Sequence, residues 1–279
     1  MTEVIQASLT RDILLSTLQN SARTITTVSL FWVVRPRPSK RILKQYCTKN
    51  FRKIRHRKGF GVHSPFAYNL ITKVIEETYS YYAYQQIEEV WHTRVCNQLT
   101  QDDFQRRKPV SEKYGRLLFR MVNRFHPDII FEYGSCWGIS SLCLYLGNTR
   151  SQLFCADPDT RVYNFSKDVI PSDLQNIRFF NSYFSEGLSE CLKFGTPDFI
   201  CIHRPSDIQE YELIYNRLFP CLGENTVILI EGLHSESRAL DAWRRFISDE
   251  RIRVTMDLFD LGIAFCDPKL NKQDYIVAF

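Results

Sequence analysis

Residues able to do chemistry gather at the ends of apolar runs in this chain. The run Ile129–Tyr133 (IIFEY) leads straight into Gly134-Ser135-Cys136-Trp137-Gly138, and a segment of helical spacing follows from Ile139-Ser140. A tight turn at this point needs Gly134, and close approach of a backbone to a ligand needs Gly138. Strand, glycine turn and helix N-terminus together form the usual ligand crevice of an open α/β sheet. The spacing is G-x-x-x-G, so the nicotinamide fingerprint G-x-G-x-x-G is not met, and no G-K-[ST] phosphate loop is present. Glu132, two residues before the first glycine, suits a cationic or amino-acid-like ligand. Asp157 ends the next apolar run (LFCAD), where an acid commonly bridges a ribose diol. The expected cofactor-binding set is therefore Glu132, Gly134, Ser135, Gly138, Ser140 and Asp157, around an adenosyl group. The plain alternative is an ordinary α/β turn with acids nearby by chance.

Three further residues form the expected catalytic set. His203 ends the run Phe199–Ile202 and could act as a general base on a hydroxyl or amine. Glu231 ends the run Val227–Glu231, and His234 follows it closely; the two could orient a substrate or each other. Each also has an ordinary structural reading as a polar residue at a strand end or helix start. The turn additionally reads G-x-C-x-G, a nucleophile elbow with Cys136 in the order Cys136, Glu231, His234. Helical segments, not strands, precede it, which disfavours a hydrolase. His63 is expected to pin the turn before a helix cap. Tyr79, Tyr81, Tyr82 and Tyr84 could wall a pocket, although aromatics at near-helical spacing usually face a core. Trp137 fits stacking near an adenine or buried packing equally well.

These residues must be placed by a regular scaffold. Short apolar runs at 129–133, 153–157, 177–180, 199–202 and 227–231 alternate with amphipathic segments near 138–148, 160–170, 184–193, 207–221 and 235–249. That alternation predicts a doubly wound, Rossmann-like parallel sheet. Strands at 253–259, 262–266 and 274–279 lack long helices between them, so an antiparallel hairpin should close the sheet. Before residue 127 the pattern is helical. Ser64-Pro65 opens a helix to about Thr78 with Ser as cap and Pro at the first position. Further helices are expected at 82–98 and 111–125, with a polar loop at 102–109. The expected organisation is an extension at 1–38, a helical lobe at 39–126 and the α/β domain at 127–279.

The chain has 279 residues with 44% hydrophobic and 24% charged residues, ordinary globular values. Mean hydropathy is −0.26, and no run of about 18 apolar residues exists, so a membrane-spanning helix is excluded. The apolar stretch 25–34 is followed by RPRP rather than a small-residue cleavage site, so no signal peptide is expected. The net charge of +5 is unevenly spread. Residues 1–75 hold 14 Lys/Arg against two acids, and the remainder holds 22 bases against 29 acids. The basic segment 35–58 fits either a nucleic acid or an anionic membrane surface. None of the nine Cys residues forms a C-x-x-C pair, which gives no zinc-ribbon or redox motif. Small buried thiols in a reducing cytoplasm are the expectation.

The same residues carry a family likeness. Residues from about 127 to 231 resemble the core of a class I S-adenosylmethionine-dependent methyltransferase. More narrowly, GFGVHSPFAYNLIT (59–72), YYAYQQIE (81–88), KYGRLLFRMV (113–122), EYGSCWGISSLCL (132–144) and MDLFDLGIAF (256–265) resemble a methyltransferase-like family common in Bacteroidetes. Its catalytic half is similar to the small-molecule O-methyltransferases. The resemblance implies a seven-stranded sheet with its last strand antiparallel and S-adenosyl-L-methionine as cofactor. It also implies a small hydroxyl- or amine-bearing methyl acceptor. Within it, Glu132, Gly134 and Gly138 match the first cofactor motif, and Asp157 matches the ribose-binding acid. Relatives that use Mg²⁺ end the fourth strand with Asp-Gly and the fifth with Asp-Asp. Here His203-Arg204 and Glu231-Gly232 stand there, so the resemblance implies a metal-independent enzyme. The same departures also fit a binding protein that has lost catalysis. No N-P-P-Y-type motif follows the fourth strand, which argues against nucleobase-amine methylation.

Overall fold

In the computed structural model, Thr48 and residues 50–52, 59–171, 174–205, 207–234 and 237–279 are described. The expected extension at 1–38 and almost all of the basic segment 35–58 lie outside the described residues. From residue 49 onward the chain forms one compact unit, which holds the chemistry described above.

Five short, apolar strands form the centre of the sheet. They are β1 (Ile129–Tyr133), β2 (Gln152–Ala156), β3 (Ile177–Phe180), β4 (Phe199–Ile202) and β5 (Val227–Glu231). Every side chain of β4 is buried, as is nearly all of β1, β2 and β5. Strands covered on both faces must read this way. Three more strands follow: β6 (Val254–Asp257), β7 (Leu261–Phe265) and β8 (Gln273–Ile276). The order is β3-β2-β1-β4-β5-β7-β6-β8. The sheet thus has eight strands, one more than the resemblance implied. β7 alone runs against its neighbours, and β8 pairs in parallel with β6. The order reverses direction between β1 and β4, the position where open α/β sheets bind ligands beyond the carboxyl ends of their strands.

Helices cover both faces. Before the sheet come α1 (Pro65–Leu70), α2 (Tyr82–Val90), α3 (Gln101–Arg106) and α4 (Glu112–Phe125). Both α1 and α2 continue into π-helical turns, at 71–75 and 91–95. Ser64 caps α1 with Pro65 at the first position. Arg120 of α4 is buried, and its guanidinium donates to the carbonyls of Val74 (2.6 Å) and Ile75 (3.2 Å) and to the Tyr84 hydroxyl (3.2 Å). That guanidinium satisfies carbonyls left open at the end of the first π-turn. Between the strands lie α5 (Ile139–Gly147), α6 (Thr160–Val169), α7 (Phe184–Leu192), α8 (Ile208–Leu218) and α9 (Ser237–Ile247). α4 lies on α5 with little space between them: a Cβ on Gly115 would sit 2.9 Å from Cys143 Sγ, and one on Gly147 2.7 Å from Val122 Cβ.

Two hydrophobic layers result, one on each face. The first joins α1, α4 and α5 to the sheet through Leu70, Leu117, Met121, Leu144, Leu153 and Val227. The second joins α7, α8 and α9 through Phe184, Leu188, Ile214, Trp243 and Phe246. Full burial of such a side chain contributes about 1.5–3 kcal/mol. Among the described cysteines, six are buried, Cys221 is half-buried and Cys96 is exposed.

One expectation fails in this part of the chain. Residues 102–109 were expected to be a polar loop, but Gln101–Arg106 is helical. Thr100 and Asp103 form a reciprocal capping box, in which the Asp103 N–H donates to Thr100 Oγ1 and the Thr100 N–H donates to Asp103 Oδ2. Aspartate at the third helical position does here what glutamate usually does. Of the tyrosines, Tyr84 is buried, packing edge-on against Tyr81 and Phe119, whereas Tyr79 and Tyr82 are exposed. His63 is exposed.

Candidate active site

Gly134 has a φ of 85°, which favours glycine. A Cβ there would also meet Arg107 Nη1 at 3.1 Å and the His203 carbonyl at 3.2 Å. The turn therefore passes directly under the end of β4. Gly138, with a φ of 81°, faces elsewhere: its Cβ would meet the backbone of Ser166 in α6 at 3.1 Å. Its role is to let the turn and α6 approach each other rather than to admit a ligand. Between the glycines, Cys136 and Trp137 have φ of 46° and 63°, and Arg204 at the opposite strand end has 37°. Such backbone costs on the order of 1–3 kcal/mol per residue and gathers at ligand sites.

Asp157 organises the turn. Its carboxylate accepts from the N–H of Ser135 (3.1 Å) and of Asp159 (3.0 Å). Ser140 Oγ donates to the Ser135 carbonyl at 2.9 Å, and the Ser135 and Ser166 hydroxyls lie 2.9 Å apart. Arg107 Nη2 stands 3.7 Å from Asp157 Oδ1. Burial raises the Asp157 carboxyl above its ordinary range, and Arg107 works against that shift. The Trp137 indole is fully buried. It donates to the Arg107 carbonyl at 2.7 Å and packs edge-on against Phe165. Trp137 thus anchors the segment that carries Arg107.

Glu132 lies beneath this turn and is fully buried. It accepts a short hydrogen bond from Ser141 Oγ and faces His203 Nε2 at 3.2 Å. His203 is buried as well, and its other nitrogen, Nδ1, faces Glu231 Oε2 at 3.3 Å. Arg204 Nε donates to the second Glu231 oxygen at 2.7 Å. Tyr114 packs edge-on against the imidazole, and Cys201 Sγ lies 3.4 Å from Nε2. Burial alone would lower the pKa of His203, but the Cys136 and Cys201 thiols and the Tyr114 hydroxyl around the ring raise it well above its ordinary value. For Glu231, burial pushes upward, yet the bonds and charge from His203 and Arg204 hold it below the usual carboxylate range. Cys136, His203 and Glu231 each bring one donor atom within 4.8 Å of the other two.

These groups line a cleft of about 420 Å³, together with Arg107, Tyr133 and Tyr183. A volume of that order fits the small-molecule range of about 300–1,000 Å³. The structure brings His203 and Glu231 together and gathers all six expected cofactor residues around the same turn. It sets His234 in other company: Nε2 lies 3.0 Å from Asp257 Oδ2, Arg52 Nη2 is 3.5 Å away, and the ring stacks on Phe259. Arg107, Arg204 and Cys201 were not anticipated as site residues. The basic triplet Arg106-Arg107-Lys108 was visible in sequence, but its place over the glycine turn depends on α3, which was not expected.

No protein-family model matches the chain, and no curated protein matches it. Solved structures do. One is a methyltransferase of Podospora anserina bound to S-adenosylhomocysteine, with 15% identity, 73% of this chain and 96% of that chain covered, and a TM-score of 0.52. Another is an O-methyltransferase of Bacillus cereus in complex with S-adenosylhomocysteine, with 16% identity, 71% and 96% covered, and a TM-score of 0.51. The chain therefore has the α/β fold of these methyltransferases.

Proposed function

We propose that the chain is an S-adenosylmethionine-dependent methyltransferase that acts on a small hydroxyl- or amine-bearing acceptor without Mg²⁺. One observation carries this reading: the left-handed Gly134 turn and the Asp157 carboxylate meet beyond the carboxyl ends of β1 and β2, beside the point where the strand order reverses. The residues present suit the cofactor. Gly134 and Ser135 offer backbone at close range, and Asp157 is placed for a ribose diol. A carboxylate accepts about four hydrogen bonds, so the two N–H donors already on Asp157 leave room once Arg107 swings aside. Glu132, Gly138 and Ser140 support the turn from below.

A bound sulfonium supplies an activated methyl group and a good leaving group. The chain's own task is then mainly to hold an acceptor in line. His203 and Glu231 serve as positioning residues: Arg204 and His203 fix the carboxylate, and the carboxylate orients the acceptor's O–H or N–H. With its pKa held low, Glu231 acts as a hydrogen-bond acceptor more than as a strong base. Of the several hard oxygen ligands that Mg²⁺ requires, Glu231 is the one acid at the ends of β4 and β5, where His203 and Gly232 also stand.

The departures at His203, Arg204 and Gly232, at the ends of β4 and β5, favour a second reading, a cofactor-binding protein without turnover. Calorimetric titration with S-adenosylmethionine and S-adenosylhomocysteine tests both. One-to-one binding by the wild type is expected, with none by Gly134→Arg and about tenfold weaker binding by Asp157→Ala, the worth of one charge-assisted hydrogen bond. Absence of wild-type binding, or full binding by Gly134→Arg, overturns the cofactor site. Binding with no methyl transfer across a broad panel of acceptors selects the second reading.

A further inference from the structure

We infer that Cys136, His203 and Glu231 form a binding site for one thiophilic divalent transition-metal ion of the Zn²⁺ class. The three donors come from three separate elements: the turn after β1, the end of β4 and the end of β5. One thiol sulfur, one imidazole nitrogen and one carboxylate oxygen lie within 4.8 Å of one another. In a tetrahedral zinc centre with ligand bonds of about 2.0–2.3 Å, neighbouring donors are about 3.3–3.8 Å apart. Closure by roughly 1 Å completes the geometry, a displacement within reach of side-chain torsions alone.

The surroundings are arranged as a metal site's surroundings are. Ligating histidines almost always give their second ring N–H to a carboxylate, a backbone carbonyl or water, which fixes the tautomer. Here His203 Nε2 faces the fully buried Glu132 at 3.2 Å, and Ser141 holds Glu132 in turn. That leaves Nδ1 directed toward Glu231. Arg204 engages one Glu231 oxygen, Oε1, and leaves Oε2 on the side of the imidazole. Cys136 is held by positive-φ backbone within the glycine turn. All three residues border the cleft, so a three-ligand centre keeps its fourth position open to water or to a group on a bound molecule. A sulfur–nitrogen–oxygen donor set selects a borderline-soft ion over Mg²⁺ or Ca²⁺. The ion site rests on these donors alone and stands whether or not the chain transfers methyl groups.

Cobalt(II) is the probe, since thiolate-bound Co²⁺ absorbs in the near ultraviolet. After stripping with a chelator, the full chain should take up one equivalent of Co²⁺ with a thiolate-to-metal band. Zn²⁺ should displace it, and millimolar Mg²⁺ should not. Cys136→Ser should fold as the wild type does by circular dichroism and lose the band. Glu231→Gln should bind at least tenfold more weakly. Glu132→Gln should keep the band and bind about 10–100-fold more weakly, as for the loss of a partner behind a ligating histidine. Substoichiometric uptake by the wild type overturns the inference. So does a band that persists in Cys136→Ser, or unchanged affinity in Glu231→Gln. None of these readings involves S-adenosylmethionine, so failure here and failure of the methyltransferase proposal are separate outcomes.

Discussion

The Cys136 and Cys201 thiols and the Tyr114 hydroxyl surround the His203 ring, its two nitrogens face Glu132 and Glu231, and the imidazole favours carrying its proton. Its pKa is raised, and stability from this group is fully present below about 6.5 and lost as the pH rises through the folded value. Glu231 has the opposite sign. Its pKa is lowered, so its contribution is present above about 4.5 and lost as the pH falls through the folded value. The metal-free chain should therefore be most stable between these limits and weaken toward alkaline pH. His203→Gln should cost about 3–5 kcal/mol at neutral pH, because two carboxylates are left facing a neutral amide. It should also flatten the alkaline decline. Urea midpoints measured from pH 6 to 10 check both, and an unchanged slope in His203→Gln would refute the assignment.

The turn and helix α3 decide what can enter the cleft. Thr100 and Asp103 cap α3, and Asp103 also accepts from Arg161 Nη2 of α6 at 2.7 Å. Thr100→Ala should destabilise the chain by about 1 kcal/mol and raise amide exchange across residues 100–108, with little change across β1. Equal exchange in wild type and variant would show that the cap does not hold this segment. All five central strands were legible in the sequence, because burial on both faces leaves a continuous apolar run that few other structures produce. So was the Ser64 cap. The helix at 101–106 was hidden because its residues are almost all polar and its cap uses Asp rather than Glu. The three closing strands were legible as runs, but the parallel pairing of β8 with β6 was hidden, since a 2-residue period says nothing about which neighbour an edge strand takes. The partnership of Glu132, His203 and Glu231 requires the register of β1, β4 and β5, which no local spacing contains.

Across the whole molecule, one acid ties the start of the compact unit to its last strands. Asp257 Oδ1 and Oδ2 accept from Arg52 Nη1 at 2.7 Å and Nη2 at 3.0 Å, and Oδ2 also meets His234. Burial would raise this carboxyl, but the bonds from His234 and the Arg52 guanidinium bring it down to about 2. Its stabilisation is present above about 4 and lost as the pH falls through about 2. Asp257→Asn should cost about 2 kcal/mol at neutral pH and almost nothing near pH 2. Equal losses at both pH values, read from denaturation midpoints, would contradict that. The sequence suggested His234 for catalysis because it follows Glu231 so closely. It could not show that β6 would deliver Asp257 to the other side of the imidazole.

The uneven burial of the cysteines has a practical outcome. A maleimide dye added to the native chain would meet Cys96 well ahead of the six buried thiols. With Cys47 and Cys221 replaced by serine, Cys96 becomes a single attachment point at the end of the helical stretch that follows α2. The neighbouring Arg94 reaches across to the carbonyls at the end of α6. A dye there would sit where two walls of the molecule touch, and its emission would report any rearrangement of that seam in real time.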